Sequence, residues 1–250
     1  MIPLPAARDP QPVVRRSADR GRLRNGWLDA RFSFSFAGWR DPAWDRFGAL
    51  RALNEDVIRP GTGFGPHPHA DLEIFVLPLA GAVEHRDSLG THAVVRPGEM
   101  QRMTAGSGIV HSQMNPSPTE TDHHLQIWLE PRTRGLPPAV EQRRFDPAGR
   151  RGRWQLLVSP DARDGSLGVH QDAEVLIAAP VPGAELAWAP PPGRSLYLHV
   201  VSGTVAVAGA GDRWTLAAGD ALAMQAAAPL RLAAAAEGAE VLLFDLPPAA

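Results

Sequence analysis

The residues best suited to chemistry lie in one stretch of the sequence, residues 61–115. His67 and His69 are two positions apart, and on a β-strand residues i and i+2 point to the same side. His111 follows further along the chain, where a second strand can bring its ring to the same place. Neutral imidazole is a good ligand for iron, nickel, copper and zinc. We therefore expect these three histidines to hold one metal ion.

This expectation depends on the set of residues rather than on any single histidine. A lone buried histidine is more often a hydrogen-bonded core residue, and a His-x-His pair by itself is a weak signal. A His-x-His pair followed by a glycine-punctuated hairpin and a third histidine is a stronger one. The other histidines are interpreted as surface or core residues: His85, His92, His123, His124, His170 and His199. Of these, His123 is the first further candidate, because it precedes a strand-like segment that could face the same cavity.

The elements that carry these residues are predicted to be short β-strands. Phe32, Phe34 and Phe36 alternate with serine, which predicts a strand with one aromatic face across residues 27–39. Short apolar segments recur with glycine between them and without a long amphipathic helix pattern, which is typical of an all-β barrel or sandwich. The clearest strand-like segments are residues 50–58, 72–79, 82–85, 93–96, 100–103, 125–130, 154–159, 174–178 and 240–247.

The two halves of the chain share an outline. An apolar strand reaches Gly81 in the first half and Gly203 in the second, and a glycine followed by an acidic residue comes later, at Gly98 and Gly219. An internal repeat of this kind predicts two similar barrels. The second copy has no His-x-His pair before its strand, so we expect no metal there.

We expect a metal-bearing N-terminal domain over residues 1–135 and a C-terminal domain over residues 136–250. The proline- and arginine-rich segment 131–153 is interpreted as the connector, and residues 1–22 as a loose arm or an edge strand.

Composition narrows the function classes. The formal net charge is −2, so no strong field would attract nucleic acid or a membrane surface. The absence of cysteine excludes disulfides and thiolate ligands. No apolar run reaches the roughly 18 residues that a membrane-spanning helix needs. The first residues lack the long apolar core that is typical of a signal peptide. We expect a cytoplasmic monomer.

Segments along nearly the whole chain resemble the pirin family, and within it the bacterial members similar to quercetin 2,3-dioxygenase. The resemblance implies a bicupin fold, which is all-β and consists of two double-stranded β-helix (jelly-roll) barrels, with one metal in the first barrel. The matching segments occur in one order and include GWLDARFSFSF, GFGPHPHADLEIFVL, VEHRDSLG, MTAGSGIVHSQMNPSPTE, LQIWLEP and VLLFDLP.

The resemblance also implies the ligands of one divalent metal ion, with iron first and nickel, copper, manganese or zinc as alternatives. Three family ligands fall on His67, His69 and His111, but Gln113 occupies the position where the family has a glutamate. Glutamine brings no negative charge, so metal affinity should fall and the bound ion should be a stronger Lewis acid. Three arrangements stay open: a three-histidine site with Gln113 adjacent or weakly bound, Glu73 as a ligand, or a site with poor or no metal.

The implied activity is a metal-dependent dioxygenase that cleaves a flavonol-like aromatic substrate and releases carbon monoxide. Glutamine cannot take a proton, so Glu73 is the nearest candidate for a general base. Weak or altered activity would follow from Gln113. A non-enzymatic regulatory or binding protein with a decayed metal site and a protein partner is the main alternative, since eukaryotic pirins are linked to transcriptional co-regulation. A three-histidine oxygenase of another small substrate is the third.

Overall fold

The computed structural model describes residues 11–248, and its regular structure is almost entirely β-strand, which confirms the all-β prediction. The strands of the first part of the chain are β1 (Val13–Arg15), β2 (Gly21–Arg24), β3 (Leu28–Phe32), β4 (Leu50–Ile58), β5 (Gly63–His69), β6 (Glu73–Ala80), β7 (Val83–Asp87), β8 (His92–Val95), β9 (Glu99–Thr104), β10 (Ile109–Met114), β11 (Asp122–Leu129) and β12 (Ala139–Arg144).

The later strands include two long ones that bend through the C-terminal barrel. They are β13 (Gln155–Ser159), β14 (Leu167–Gly168), β15 (Glu174–Ala178), β16 (Leu186–Trp188), β17 (Ser195–Gly209), β18 (Asp212–Ala217), β19 (Ala221–Met224) and β20 (Leu230–Leu246). The helices in the described residues are short 3-10 turns: Ser17–Asp19, Pro42–Trp44, Pro147–Arg150 and Arg163–Gly165. No helix in this part of the chain is long and apolar enough to cross a membrane.

Three sheets build two barrels, as the bicupin expectation requires. The N-terminal barrel consists of a seven-stranded sheet in the order β12-β9-β6-β11-β4-β3-β2 and a four-stranded sheet in the order β5-β10-β7-β8. The C-terminal barrel is built from a nine-stranded sheet centred on β17 and β20. The expected His-x-His strand, β5, and the strand that carries His111, β10, are neighbours in the four-stranded sheet.

The largest apolar core lies between the two barrels. β11 turns Leu125, Ile127 and Leu129 toward this core, and β20 turns Leu242 and Phe244 toward it from the other side. Side chains alternate along a strand, so the residues of β11 between these three face the inside of the N-terminal barrel. This alternation places one set of β11 side chains in the inter-barrel core and the other set opposite the four-stranded sheet.

The two barrels differ in what fills them. Inside the C-terminal barrel, aliphatic side chains form a separate hydrophobic core: Leu196, Leu198, Val200, Leu222, Val241 and Leu243 are members. The N-terminal barrel instead carries buried polar side chains on its inward positions, among them Asn54, Gln101, Gln113 and Gln126. The two halves related by the sequence repeat therefore form two barrels whose interiors differ, one aliphatic and one polar.

The repeat itself has a structural counterpart in its glycines. Gly81 and Gly203 both have positive φ angles, 69° and 71°. A Cβ atom on Gly81 would come within 2.4 Å of the carbonyl oxygen of Thr121, and one on Gly203 within 2.1 Å of that of Gly238. Both positions therefore need glycine for the same two reasons, a left-handed backbone and a close approach of the facing chain.

Two strands pair across the expected division into two domains. β1 pairs with β19 of the C-terminal barrel, whereas the segment interpreted as a connector contains β12, which pairs with β9 of the N-terminal barrel. The boundary between residues 135 and 136 stays a prediction. Residues 1–22 are expected to be a loose arm or an edge strand. Of these, β1 is an edge strand, and residues 1–10 lie outside the described part of the chain.

The predicted aromatic strand over residues 27–39 is shorter than expected. β3 ends at Phe32, and a turn follows in which Ala37 has a positive φ of 51°. Phe34 packs in the inter-barrel core, whereas Phe32 and Phe36 contact each other with ring centroids 5.3 Å apart in a different cluster. The three phenylalanines therefore do not form one face, because the chain turns and sends them to two cores.

Candidate metal centre

Two adjacent antiparallel strands bring the three expected histidines together. In the register of β5 and β10, His67 lies opposite His111 and His69 lies opposite Ile109. The ring centroids are 4.5 Å apart for His67 and His111, 4.9 Å for His67 and His69, and 5.1 Å for His69 and His111. One nitrogen of each ring lies within 4.8 Å of those of the other two. This spacing suits three ligands of one ion.

A bulge in β5 fixes the orientation of His67. Between the pairs His67–His111 and Phe64–Gln113, β5 advances by one residue more than β10. The bulge leaves the carbonyl oxygen of Gly65 2.8 Å from Nδ1 of His67. A carbonyl only accepts, so Nδ1 carries the proton and Nε2 keeps the lone pair that can bind a metal.

His111 is oriented by a carboxylate and a second histidine. Nε2 of His85 lies 2.8 Å from Oδ2 of Asp87, and Nδ1 of His85 lies 3.5 Å from Nδ1 of His111. His85 donates to the carboxylate through Nε2, which leaves its Nδ1 to accept a long hydrogen bond from His111. Nε2 of His111 then keeps its lone pair. This series is a longer form of the carboxylate–histidine arrangement that orients metal-binding imidazoles.

The charges in the centre favour metal binding at neutral pH. Burial, together with the neighbouring histidines, lowers the pKa of His69 to about 4 and that of His111 to about 3. Burial alone would raise the pKa of Asp87, but hydrogen bonds from His85 and from the backbone amides of Leu89 and Thr91 hold it below its usual value. The two buried imidazoles are thus neutral and the carboxylate behind them is charged.

The donor atoms themselves fit a divalent metal ion. Nε2 of His69 and Nε2 of His111 are buried and have no hydrogen-bond partner among the described residues. Buried nitrogen atoms without a partner are costly, and a bound cation would remove this cost for both at once. Three neutral imidazoles are a common set for iron, nickel, copper or zinc.

Gln113 lies on β10 two residues after His111 and, like it, is 2% exposed. Its Oε1 accepts a hydrogen bond of 2.9 Å from Nε2 of Gln126, and Oε1 of Gln126 accepts one of 3.2 Å from Nε1 of Trp128. The Trp128 ring contacts His69 edge to face, with centroids 5.0 Å apart. No sequence signal pointed to Gln126 and Trp128, which connect Gln113 to His69 through these contacts.

Glu73 lies outside the group formed by the three histidines, and its role as a ligand or a base stays a prediction. It lies on the same face of β6 as Phe75, the face that packs against the inter-barrel core. Its two carboxylate oxygens accept hydrogen bonds of 2.9 Å from Thr104 Oγ1 and from His170 Nδ1. Burial raises the pKa of Glu73, and these two hydrogen bonds oppose the rise. One of the two hydrogen bonds of Glu73 therefore joins β6 to His170 in the second half of the chain.

Two further histidines are candidates or background residues in the sequence, and the structure shows where each one lies. His123 is on the same face of β11 as Leu125, bonds to Glu55 at 3.0 Å and borders a 280 Å³ cleft between the barrels, so it does not face the centre. His85, interpreted as a surface or core histidine, is a core residue with 1% exposure, and its ring contacts that of His111. The alternation of His85 with Asp87 was the sequence signal that would have found it.

Family models match both halves of the chain. The model described as Pirin matches residues 13–129, and the model described as the quercetinase C-terminal cupin domain matches residues 156–246. A pirin-like protein of Caulobacter vibrioides is 38% identical over 235 residues, covering 93% of this chain and 99% of that protein. The chain belongs to the pirin family. The resemblance noted in the sequence is confirmed.

Further relatives of this pirin carry more specific names. A quercetin 2,3-dioxygenase of Escherichia coli (strain K12) is 45% identical over 235 residues, which is 94% of this chain and 98% of that protein. The crystal structure of a bacterial pirin from Escherichia coli in complex with nickel(II) has a TM-score of 0.89 and 44% identity, covering 95% of this chain and all of that chain. An oxalate decarboxylase of Lactobacillus farciminis, 13% identical with a TM-score of 0.66, shares the fold alone.

The orientation of His111 can be tested through Asp87. In an Asp87→Asn variant the amide NH₂ would face His85 and reverse the proton positions along the series, so that Nε2 of His111 would carry a proton. We expect nickel affinity to fall by about 10- to 100-fold, the range for such outer partners. A competition titration against a chelator measures it. The control is Glu84→Gln, an outward-facing carboxylate on β7. Equal affinities for Asp87→Asn and the control would contradict the orientation argument.

The hydrogen bonds of Glu73 give a second prediction. Glu73→Gln should lower the free energy of unfolding by about 1 to 3 kcal/mol, because a buried hydrogen bond to a charged group is lost. The same variant should leave nickel affinity unchanged, since the carboxylate lies on the other face of the sheet. Urea unfolding followed by fluorescence, together with a metal titration, checks both. Glu120→Gln, at an exposed position, is the control. Loss of nickel binding in Glu73→Gln without a loss of stability would identify Glu73 as a ligand.

Proposed function

We propose that this pirin is a metal-dependent dioxygenase of the quercetin 2,3-dioxygenase type that acts on a flavonol-like aromatic molecule. The observation that carries the proposal is the convergence of His67, His69 and His111, with one nitrogen of each ring within 4.8 Å of the others. Relatives with that name match nearly the whole chain at 45% identity. The activity belongs to those relatives by name and to this chain by proposal.

We propose His67, His69 and His111 as the metal ligands, with Gln113 beside them. Iron and nickel are the ions to test first, because imidazole suits both and the bacterial pirin relative was crystallised in complex with nickel(II). When bound, a divalent ion would supply Lewis acidity that lowers the pKa of a hydroxyl group held there.

The residues around the three histidines would orient the ligands and cover the centre. Gly65 and the Asp87–His85 pair keep the lone pairs of His67 and His111 directed toward the ion. The indole of Trp128 covers one edge of His69. No carboxylate of the described residues joins the three histidines in one ligand group, and an amide at position 113 cannot accept a proton. The substrate hydroxyl would therefore lose its proton to solvent rather than to a general base, which predicts slow turnover.

A second candidate is a non-enzymatic regulatory or binding protein with a decayed metal site. The observation that favours it is Gln113 itself, since loss of the acidic ligand removes one negative charge from the centre. The two candidates share a fold and three histidines and differ in whether the bound ion turns over a substrate.

Metal loading and turnover separate these candidates. Protein purified without metal and reloaded with iron(II) or nickel(II) should bind about one equivalent and should consume oxygen and release carbon monoxide with quercetin. His111→Ala should lose both metal and turnover, whereas His92→Ala, at an exposed histidine on β8, should keep both. One equivalent of metal without turnover, for any of iron, nickel, copper, manganese or zinc, would favour the binding protein over the enzyme.

Restoring the acidic residue gives a further prediction. Gln113→Glu should raise nickel affinity by at least about tenfold, because a carboxylate adds a charged ligand to a divalent site, and it should raise the rate of quercetin cleavage by supplying a base. Isothermal titration and carbon monoxide release measure the two effects. A variant with raised affinity and unchanged rate would show that the carboxylate serves the metal only.

A further inference from the structure

A directed series of hydrogen bonds fixes which end of Gln113 is available to the metal centre. The indole Nε1 of Trp128 can only donate, so the atom of Gln126 that it contacts at 3.2 Å must be the amide oxygen. The nitrogen of Gln126 is then the atom that donates to Gln113 at 2.9 Å, and the accepting atom of Gln113 must be its oxygen. The orientation of both amides follows from the indole.

The other end of the Gln113 side chain is an NH₂ group. An amide nitrogen has two hydrogen-bond donors and no lone pair to offer a metal. The register of β10 places Gln113 on the same inward face as His111, one step along the strand, and both residues are 2% exposed. The group nearest the centre at this position would thus be a donor, whereas a carboxylate would be an acceptor and a ligand.

The charge of the centre also favours an anionic ligand. Imidazole binds a metal ion in its neutral form, so His67, His69 and His111 would bring no charge to a bound ion. A divalent ion on uncharged ligands keeps its full charge, and a carboxylate at position 113 would have reduced that charge by one. An anionic oxygen near the ion would therefore gain attraction from the ion and a hydrogen bond from the amide.

We propose that Gln113 is not a metal ligand but a hydrogen-bond donor that selects small molecules bearing an anionic oxygen, such as a carboxylate or an enolate. Trp128 and Gln126 are the positioning residues that keep its NH₂ group on the side of the centre. The inference rests on the metal centre of the proposed function and not on the flavonol as the substrate. It makes the glutamine a specificity determinant rather than a defect.

The test separates metal affinity from anion affinity in the cobalt(II)-loaded protein. Cobalt affinity is measured by chelator competition, and acetate affinity by the change in visible absorption during titration with acetate. Gln113→Met keeps the length of the side chain and removes both oxygen and NH₂. We expect its cobalt affinity to stay within about threefold of the wild type, and its acetate affinity to fall by about 5- to 10-fold, as loss of one hydrogen bond implies.

A matched control comes from the same barrel. Gln101 is equally buried and lies on β9, two strands from Gln126 and outside the hydrogen-bond series. Gln101→Met should leave both affinities unchanged, which separates the proposed role from a general effect of removing a buried amide. Trp128→Phe keeps a ring beside His69 and removes the indole donor. It should weaken acetate binding while cobalt binding is retained, because the amides are no longer held in one direction.

The opposite outcomes overturn the proposal in distinguishable ways. A fall in cobalt affinity of tenfold or more in Gln113→Met would make Gln113 a ligand, and unchanged acetate affinity would remove its role as a donor. A wild-type protein that binds no cobalt would overturn the metal centre of the proposed function and this inference together. A protein that binds cobalt and acetate as expected but leaves quercetin uncleaved would keep this inference and refute only the flavonol activity.

Discussion

The burial of both faces of β11 is the constraint on which the centre depends. Leu125, Ile127 and Leu129 pack against the second barrel, so their position is fixed by the largest apolar core of the molecule. Gln126 and Trp128 must then point into the first barrel, where they contact Gln113 and His69. The C-terminal barrel therefore contributes to the centre without touching it, because it holds the sheet that lines one side of it.

The histidines are prepared for a metal by partners outside the cluster. A backbone carbonyl at Gly65 and a buried carboxylate at Asp87 decide which nitrogen of His67 and of His111 carries a proton. Burial keeps His69 and His111 neutral, which is the state that binds a cation. Such preorganisation lowers the cost of binding, since the rings need not reorient or lose a proton when the ion arrives.

Gln113, compared with a glutamate, gives this centre a different charge and a different hydrogen-bonding group on the same strands. The strand register and the bulge in β5 bring the three histidines together, and relatives of 37 to 45% identity match over nearly the full chain. Compared with the glutamate that the resemblance to the pirin family implies at this position, Gln113 lacks one negative charge and one acceptor oxygen, and it is buried. In a site of low dielectric, this difference acts strongly on any charged ligand.

The sequence by itself determined the all-β class, the two related halves and the three histidines. The signals for them are local ones: alternating apolar residues, glycines between short apolar segments, and the His-x-His pair. The sequence did not determine the face on which Glu73 lies, since the residues that follow it are apolar at both parities of β6. Nor did it place His85 against His111 or Gln126 against Gln113. These contacts depend on the register of strands distant in sequence and on which face of the sheet meets the second barrel, and only the packing of the two barrels decides that.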